Sequence, residues 1–135
     1  EMDPAWGWAA GAMVSTPSEL NTFFQAVLDG RLLTQASIDE MKNGAVDASS
    51  HLGPGTVYGL GLIGTPLSCG GTSWGHGGTI HGYQTDNAVG PDGTAVTVAV
   101  TALPSAIADQ NNLESSAKEK HQRNKDAVDA TLCHK

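Results

Sequence analysis

Apolar residues recur along the chain in different rhythms, and each rhythm predicts a different element. In "VSTPSELNTFFQAVLDGRL", Leu20, Phe23, Phe24, Val27 and Leu28 fall on one face at helical spacing. Thr16 stands before them as an N-cap, Pro17 takes the first helical position, Glu19 completes a capping box, and Gly30 ends the run. A helix between Thr16 and Gly30 follows. A second, shorter helix begins near Thr34 and Gln35, with Ile38 and Met41 as a narrower apolar face. The stretch "NGAVDASSHLGPG" then breaks the pattern and predicts a loop.

From Val57 the period changes to two. "VYGLGLIG" puts Val57, Gly59, Gly61 and Ile63 on one face of a strand and the larger Tyr58, Leu60 and Leu62 on the other. "SWGHGGTIHGY", Ser73 to Tyr83, and "YQTDNAVG" predict further strands, and "PDG" at Pro91 to Gly93 is a hairpin turn into "TAVTVAVTA". These make an antiparallel meander. From Ala108 to Cys133 the chain is polar, with Leu113, Ala117, Ala127, Val128 and Leu132 only partly periodic. A terminal helix is expected there, with "KEKHQRNKD" as its solvated face or as a frayed linker. The whole predicts one domain of the α/β class, α+β type: an antiparallel sheet flanked by helices.

Composition narrows the partners. At 135 residues the chain is long enough to bury a core, and its 17 glycines favour tight turns and close backbone approaches over a helical bundle. A net charge of -7 disfavours nucleic acid and anionic membrane surfaces, whose binders concentrate Lys and Arg. No apolar run reaches membrane-spanning length, and no signal peptide is visible. The start "EMDPAWGW" carries no initial methionine, so an N-terminus made by processing, cloning or proteolysis is expected. Cys69 and Cys133 are too far apart for a CxxC redox or zinc motif, leaving a disulfide or two buried thiols. A bridge would stabilise by roughly 4 kcal/mol on the chain-entropy model and would imply an oxidising compartment.

Three patterns touch on chemistry. "GTSWG", Gly71 to Gly75, has the G-x-S-x-G form of a nucleophile elbow. An elbow needs a helix after its serine, and "HGGTIHGY" cannot build one, so Ser73 is expected to be a turn serine. "SSAK" places Ser115 and Lys118 in an S-x-x-K pair, but on the polar terminal segment, where a solvated helix face is the expectation. His76 and His81 are spaced to point to opposite faces of a strand, and His51, His121 and His134 add no ligand spacing, so no metal site is expected. Gly78 would instead let another backbone approach the strand. That suits β-strand addition of an extended substrate, with backbone amides open to an oxyanion.

At "GHGGTIHGY" the chain resembles the serine β-lactamases and penicillin-binding proteins. Their third signature is a K-T-G on a sheet strand, written H-x-G in a branch that includes secreted D-Ala-D-Ala carboxypeptidases. His76 stands in the lysine position and Gly78 in that of the required glycine. "GWAAGAMVSTPSELNTFFQAVLDGRLL" is similar to the segment of that family that re-enters its α/β domain, and "YGLGL" resembles the strand before the motif. Cys69 ahead of the motif, the "DG" hairpin after it and the near-terminal Cys133 also resemble the secreted DD-peptidases. The resemblance runs from Trp6 to Cys133.

It implies that His76 belongs to a hydrogen-bond network beside a nucleophilic serine and tunes proton transfer to the leaving group. Gly77 and Gly78 would keep the cleft wall low. The Thr79 N–H would supply half of the oxyanion hole, and its hydroxyl could meet a substrate carboxylate. Trp6 or Trp8 would line the acyl pocket, unless both are core anchors. Two departures matter. Ile63 and Gly64 stand where carboxypeptidase-like members have an arginine for the substrate carboxylate, which raises an esterase or class C-like β-lactamase preference. The family's nucleophilic serine, its S-x-x-K lysine and its Y-x-N tyrosine all come from sequence before this region.

Residues 1–135 are therefore expected to be the C-terminal segment of a β-lactamase/DD-peptidase domain. It would be inactive alone, need no cofactor, and act in a secreted enzyme on peptidoglycan peptides or β-lactams. Its partner would be the N-terminal half of the same enzyme, or a second copy covering an exposed sheet edge. The rival readings are a non-catalytic binding module and an independent hydrolase using Ser73.

Overall fold

The computed structural model describes residues 4–102 and 109–134. Seven strands form one antiparallel sheet with helices on both faces, and the chain enters it through a short 3₁₀ segment at Pro4–Ala10. Helix α1 (Pro17–Leu28) begins as its sequence dictates: the Thr16 N–H donates to Glu19 Oε2 at 3.0 Å, and the Glu19 N–H donates back to Thr16 Oγ1 at 3.3 Å. The Thr16 N–H, with the Thr16 and Ser15 hydroxyls that also donate to this carboxylate, holds the Glu19 carboxyl pKa below its usual value. Helix α2 (Gln35–Asn43) starts at Thr34, which accepts from the Ser37 N–H, and its Ile38 is fully buried.

The stretch after α2 is more ordered than its composition predicts. It contains β1 (Val46–Asp47) and a single helical turn, α3 (Ser49–Leu52), closed where the Ala48 N–H donates to the Thr56 carbonyl. "VYGLGLIG" is not one strand. It folds into a hairpin of β2 (Val57–Tyr58) and β3 (Ile63–Pro66), paired Val57 to Gly64 and Tyr58 to Ile63. Gly61 turns the chain at φ 73°, and the Leu60 N–H donates to the Met41 carbonyl, pinning the hairpin to the end of α2. Glycine is required at position 59, where a Cβ would lie 2.0 Å from the Met41 oxygen.

Strands β4 (Thr72–Gly75) and β5 (Gly77–Ile80) run end to end along one edge of β6 (Tyr83–Val89), interrupted at His76. Strand β7 (Ala95–Val100) lies along the other edge of β6, after the expected turn with Gly93 at φ 80°. β4 also pairs with β3, whereas β5 and β7 are each paired on one side only among the described residues.

Helix α4 (Leu113–Cys133) runs unbroken through "KEKHQRNKD", so that stretch is no linker. Nor is it wholly solvated, because Asn124 is buried and His121 and Lys125 half-buried. Ala108 lies outside the described residues. Leu67, Ala88, Val128 and Leu132 form the core between α4 and the sheet, with Val96 and Val98 against them. The cysteines are bridged: Cys69 and Cys133 stand 5.5 Å apart at Cα, tying the β3–β4 loop to the end of α4. Ser68 reinforces that tie, its N–H and hydroxyl donating to the two Asp129 carboxylate oxygens at 2.8 and 2.6 Å.

Candidate active site

A cavity of about 320 Å³ opens on the α4 face of the sheet. One wall is the strand break, His76, Gly77, Gly78 and Thr79; Tyr58, Ile63 and Leu52 form a second, and His121, Lys125 and Asp129 of α4 a third. Just before the break, a Cβ on Gly75 would come within 2.1 Å of the Asn87 carbonyl oxygen, so only glycine lets β4 and β6 approach so closely. Gly78 is more permissive, since the atom that a Cβ would crowd there, at 2.9 Å, is the Thr85 side-chain hydroxyl.

Ladder geometry fixes what β5 presents. The Asn87 N–H donates to the His76 carbonyl at 3.3 Å, so the alternation of an antiparallel pair directs Gly78 and Ile80 toward β6 and turns Gly77 and Thr79 outward. The Thr79 N–H therefore faces the open edge. His76, half-buried, is held at both ring nitrogens: Nε2 lies 2.8 Å from Tyr58 Oη, and Nδ1 2.5 Å from the Gly77 carbonyl oxygen.

Beneath β5, Asp86 Oδ2 accepts from Gln84 Nε2 at 3.1 Å and from Asn124 Nδ2 at 3.2 Å, while Gln84 also donates to His121 Nδ1. Lys125 donates to the Leu52 carbonyl. Burial lowers its pKa, and the nearby Asp86 charge opposes that only in part.

The structure thus brings His76, Gly77, Gly78 and Thr79 together. Trp8 is 83% exposed and takes no part in lining this cavity, and the Trp6 side chain lies outside the described residues. Ser73 is not a turn residue: it sits in β4, 2% exposed, with its hydroxyl donating to the Thr65 carbonyl at 3.2 Å. A serine so buried and committed is no nucleophile. Ser115 lies exposed in the first turn of α4, outside the lining, and His81 in the exposed β5–β6 turn. Sequence reasoning did not assign Tyr58, Gln84, Asp86, His121 or Lys125 to the site. The signal was present for α4, since His121, Asn124, Lys125, Val128, Asp129 and Leu132 follow helical spacing on one face, but with mixed polarity.

The Beta-lactamase family profile matches residues 1–119. A D-stereospecific amidohydrolase from Streptomyces sp. is similar at 41% identity, covering 73% of this chain and 29% of its own, with a TM-score of 0.66. The D-amino acid amidase from Ochrobactrum anthropi SV3 is similar at 29% identity, covering 89% of this chain and 36% of its own, with a TM-score of 0.64. Its complex with L-phenylalanine amide matches at 28% identity over 91% of this chain and 35% of its own, also at 0.64. The chain spans about a third of the length of these structures.

Proposed function

The chain belongs to the Beta-lactamase family, and on that premise we propose that it is the H-x-G wall of an acyl-serine hydrolase that cleaves amides of D-configured amino acids. The observation that carries this reading is the open edge of β5, where the outward Thr79 N–H stands beside the hydrogen-bonded His76. A substrate laid along that edge places its carbonyl at the Thr79 N–H. Attack by a serine puts negative charge on that oxygen, and a preorganised amide stabilises it more in the transition state than in the ground state. Collapse expels the amine, and water then cleaves the ester. In this reading the serine, its lysine and the second oxyanion donor come from sequence outside these residues.

The D-amino-acid amide preference draws on the activities that the similar amidohydrolase and amidase are named for and on one local feature. A D-Ala-D-Ala carboxypeptidase must hold a free carboxylate, yet Ile63 and Gly64 replace the arginine, and a Cβ at Gly64 would lie 2.9 Å from the Trp74 ring. An amide substrate has no such carboxylate. The Cys69–Cys133 bridge supports an extracytoplasmic setting.

The test joins this chain to an upstream half bearing S-x-x-K and Y-x-N, and measures ammonia release from D- and L-phenylalanine amide. D-selective release is expected. Faster release of D-alanine from a D-Ala-D-Ala peptide restores the carboxypeptidase reading, and preferential turnover of a chromogenic β-lactam restores the β-lactamase one. Thr79→Pro should lower kcat about 100-fold or more by deleting one oxyanion donor, because an outward N–H on an edge strand is where proline is tolerated. For the chain alone, intact mass after a labelled penicillin should show no adduct; one on Ser73 or Ser115 would sink the claim that the nucleophile lies elsewhere.

A further inference from the structure

We infer that Tyr58 is a positioning residue that donates to Nε2 of the H-x-G histidine and holds the orientation of its ring, an inference that takes the proposed acyl-transfer site as its setting. A carbonyl oxygen only accepts, so the contact between His76 Nδ1 and the Gly77 carbonyl requires the ring proton on Nδ1. In the neutral ring Nε2 is then the acceptor, and the Tyr58 hydroxyl, 2.8 Å away, donates to it. The two rings also meet edge to face, with centroids 5.8 Å apart and planes at 85°, so the imidazole is held by packing as well as by bonds.

Tyr58 is itself placed from a distance. It ends β2, and the next two residues are clamped to α2: Gly59 lies flush against the Met41 carbonyl, and the Leu60 N–H donates to it. The end of α2 thereby sets the height of the Tyr58 ring over His76. With both nitrogens engaged, the imidazole has no N–H left for a ligand. Tyr58 is on the cavity wall and more than a third exposed, and a phenol oxygen that donates its proton to His76 keeps its lone pairs for a ligand. A proton delivered to Tyr58 Oη by the attacking nucleophile can be matched by passing the phenol proton to His76 Nε2, and the bond between the two then reverses, with Nε2–H donating to Oη. The arrangement also occupies the Gly77 carbonyl, leaving the Thr79 N–H and carbonyl as the outward pair of β5 open to a substrate backbone.

Nitrogen NMR of the whole chain labelled in its histidine rings tests this, with His76→Gln assigning the His76 signals, at a pH where the ring is neutral. The expected result is a His76 ring protonated on Nδ1, whose unprotonated Nε2 signal moves downfield in Tyr58→Phe while Nδ1 stays protonated. A ring protonated on Nε2 in the parent chain overturns the inference, as does an Nε2 signal that Tyr58→Phe leaves in place. Should Tyr58→Phe fail to fold, the parent chain decides by itself: an Nε2 signal upfield of a free acceptor nitrogen supports the bond from Tyr58, and one at the free position overturns it. In the joined enzyme, Tyr58→Phe should lower kcat with little change in KM. The NMR readout does not depend on turnover, so the expected ring pattern in a chain whose joined enzyme ignores D-amino-acid amides would sink the functional reading and leave the pairing standing.

Discussion

The two faces of strand β6 are covered by helices of opposite character. On one face α1 lays an apolar stripe over the sheet, with Ala26 and Val27 buried and Leu20, Phe24 and Leu28 half-buried. Its polar contacts there are neutral: Asn87 Nδ2 donates to Asn21 Oδ1 at 3.2 Å, and Thr97 Oγ1 donates to the same oxygen at 2.7 Å. On the other face α4 contributes Val128 and Leu132 at its C-terminal end, with Asp129 between them bonded to Ser68, but His121, Asn124 and Lys125 before them, over Gln84 and Asp86 of the strand. The α1 face is held chiefly by burial of apolar surface. The α4 face divides its work: an apolar end anchors the helix, and a charged middle lines the cavity beside His76. Polarity that looks like solvent exposure in one helix taken alone becomes a wall when the opposing strand is polar at the same positions.

That division can be broken at its anchor first. Replacing Cys69 and Cys133 by alanine should lower stability by about 4 kcal/mol on the loop-closure argument and release the end of α4, read from the thermal midpoint with and without reductant. Leu132→Ala should cost roughly 2–3 kcal/mol in denaturant unfolding, because it empties part of the only apolar cluster the described residues of α4 build. If the α1 face depends on helix formation as its capping box suggests, Thr16→Ala should cost about 1 kcal/mol.

The charged groups of α4 should appear in pH dependence rather than in a large loss at neutrality. The Ser68 hydroxyl and N–H hold Asp129 below the usual carboxylate range, so its contribution is present above about pH 4 and is lost as pH falls through the lower folded value. Asp129→Asn should flatten the acid limb of the stability curve and, with solvent close by, cost only about 1 kcal/mol at neutral pH. Lys125 has the opposite sign of effect: its folded pKa is depressed by burial, so its term makes stability rise with pH from that value toward the unfolded one. Lys125→Met should abolish that alkaline rise, the smallest change of the series. An α4 variant set with no pH signature would mean that this face is held as α1 is.

The sequence by itself determined the elements whose causes are local. Thr16, Pro17, Glu19 and Gly30 define α1, Thr34 starts α2, and "PDG" turns the β6–β7 hairpin, because caps and turns are satisfied within a few residues. It also grouped His76, Gly77, Gly78 and Thr79 in one glycine-rich stretch, since residue type and spacing are enough for that, but not the break at His76 that separates β4 from β5. Tertiary structure decided what those residues face. The "YGLGL" stretch alternates as a strand should, yet it doubles back because the Met41 carbonyl captures the Leu60 N–H and leaves no room for a Cβ at Gly59. Only that fold brings Tyr58 to His76 across 18 positions of chain. Likewise, the partly periodic stretch after Leu113 became an inward wall only when Gln84 and Asp86 offered partners for its polar side chains, because burial of a polar group is decided by what stands opposite it.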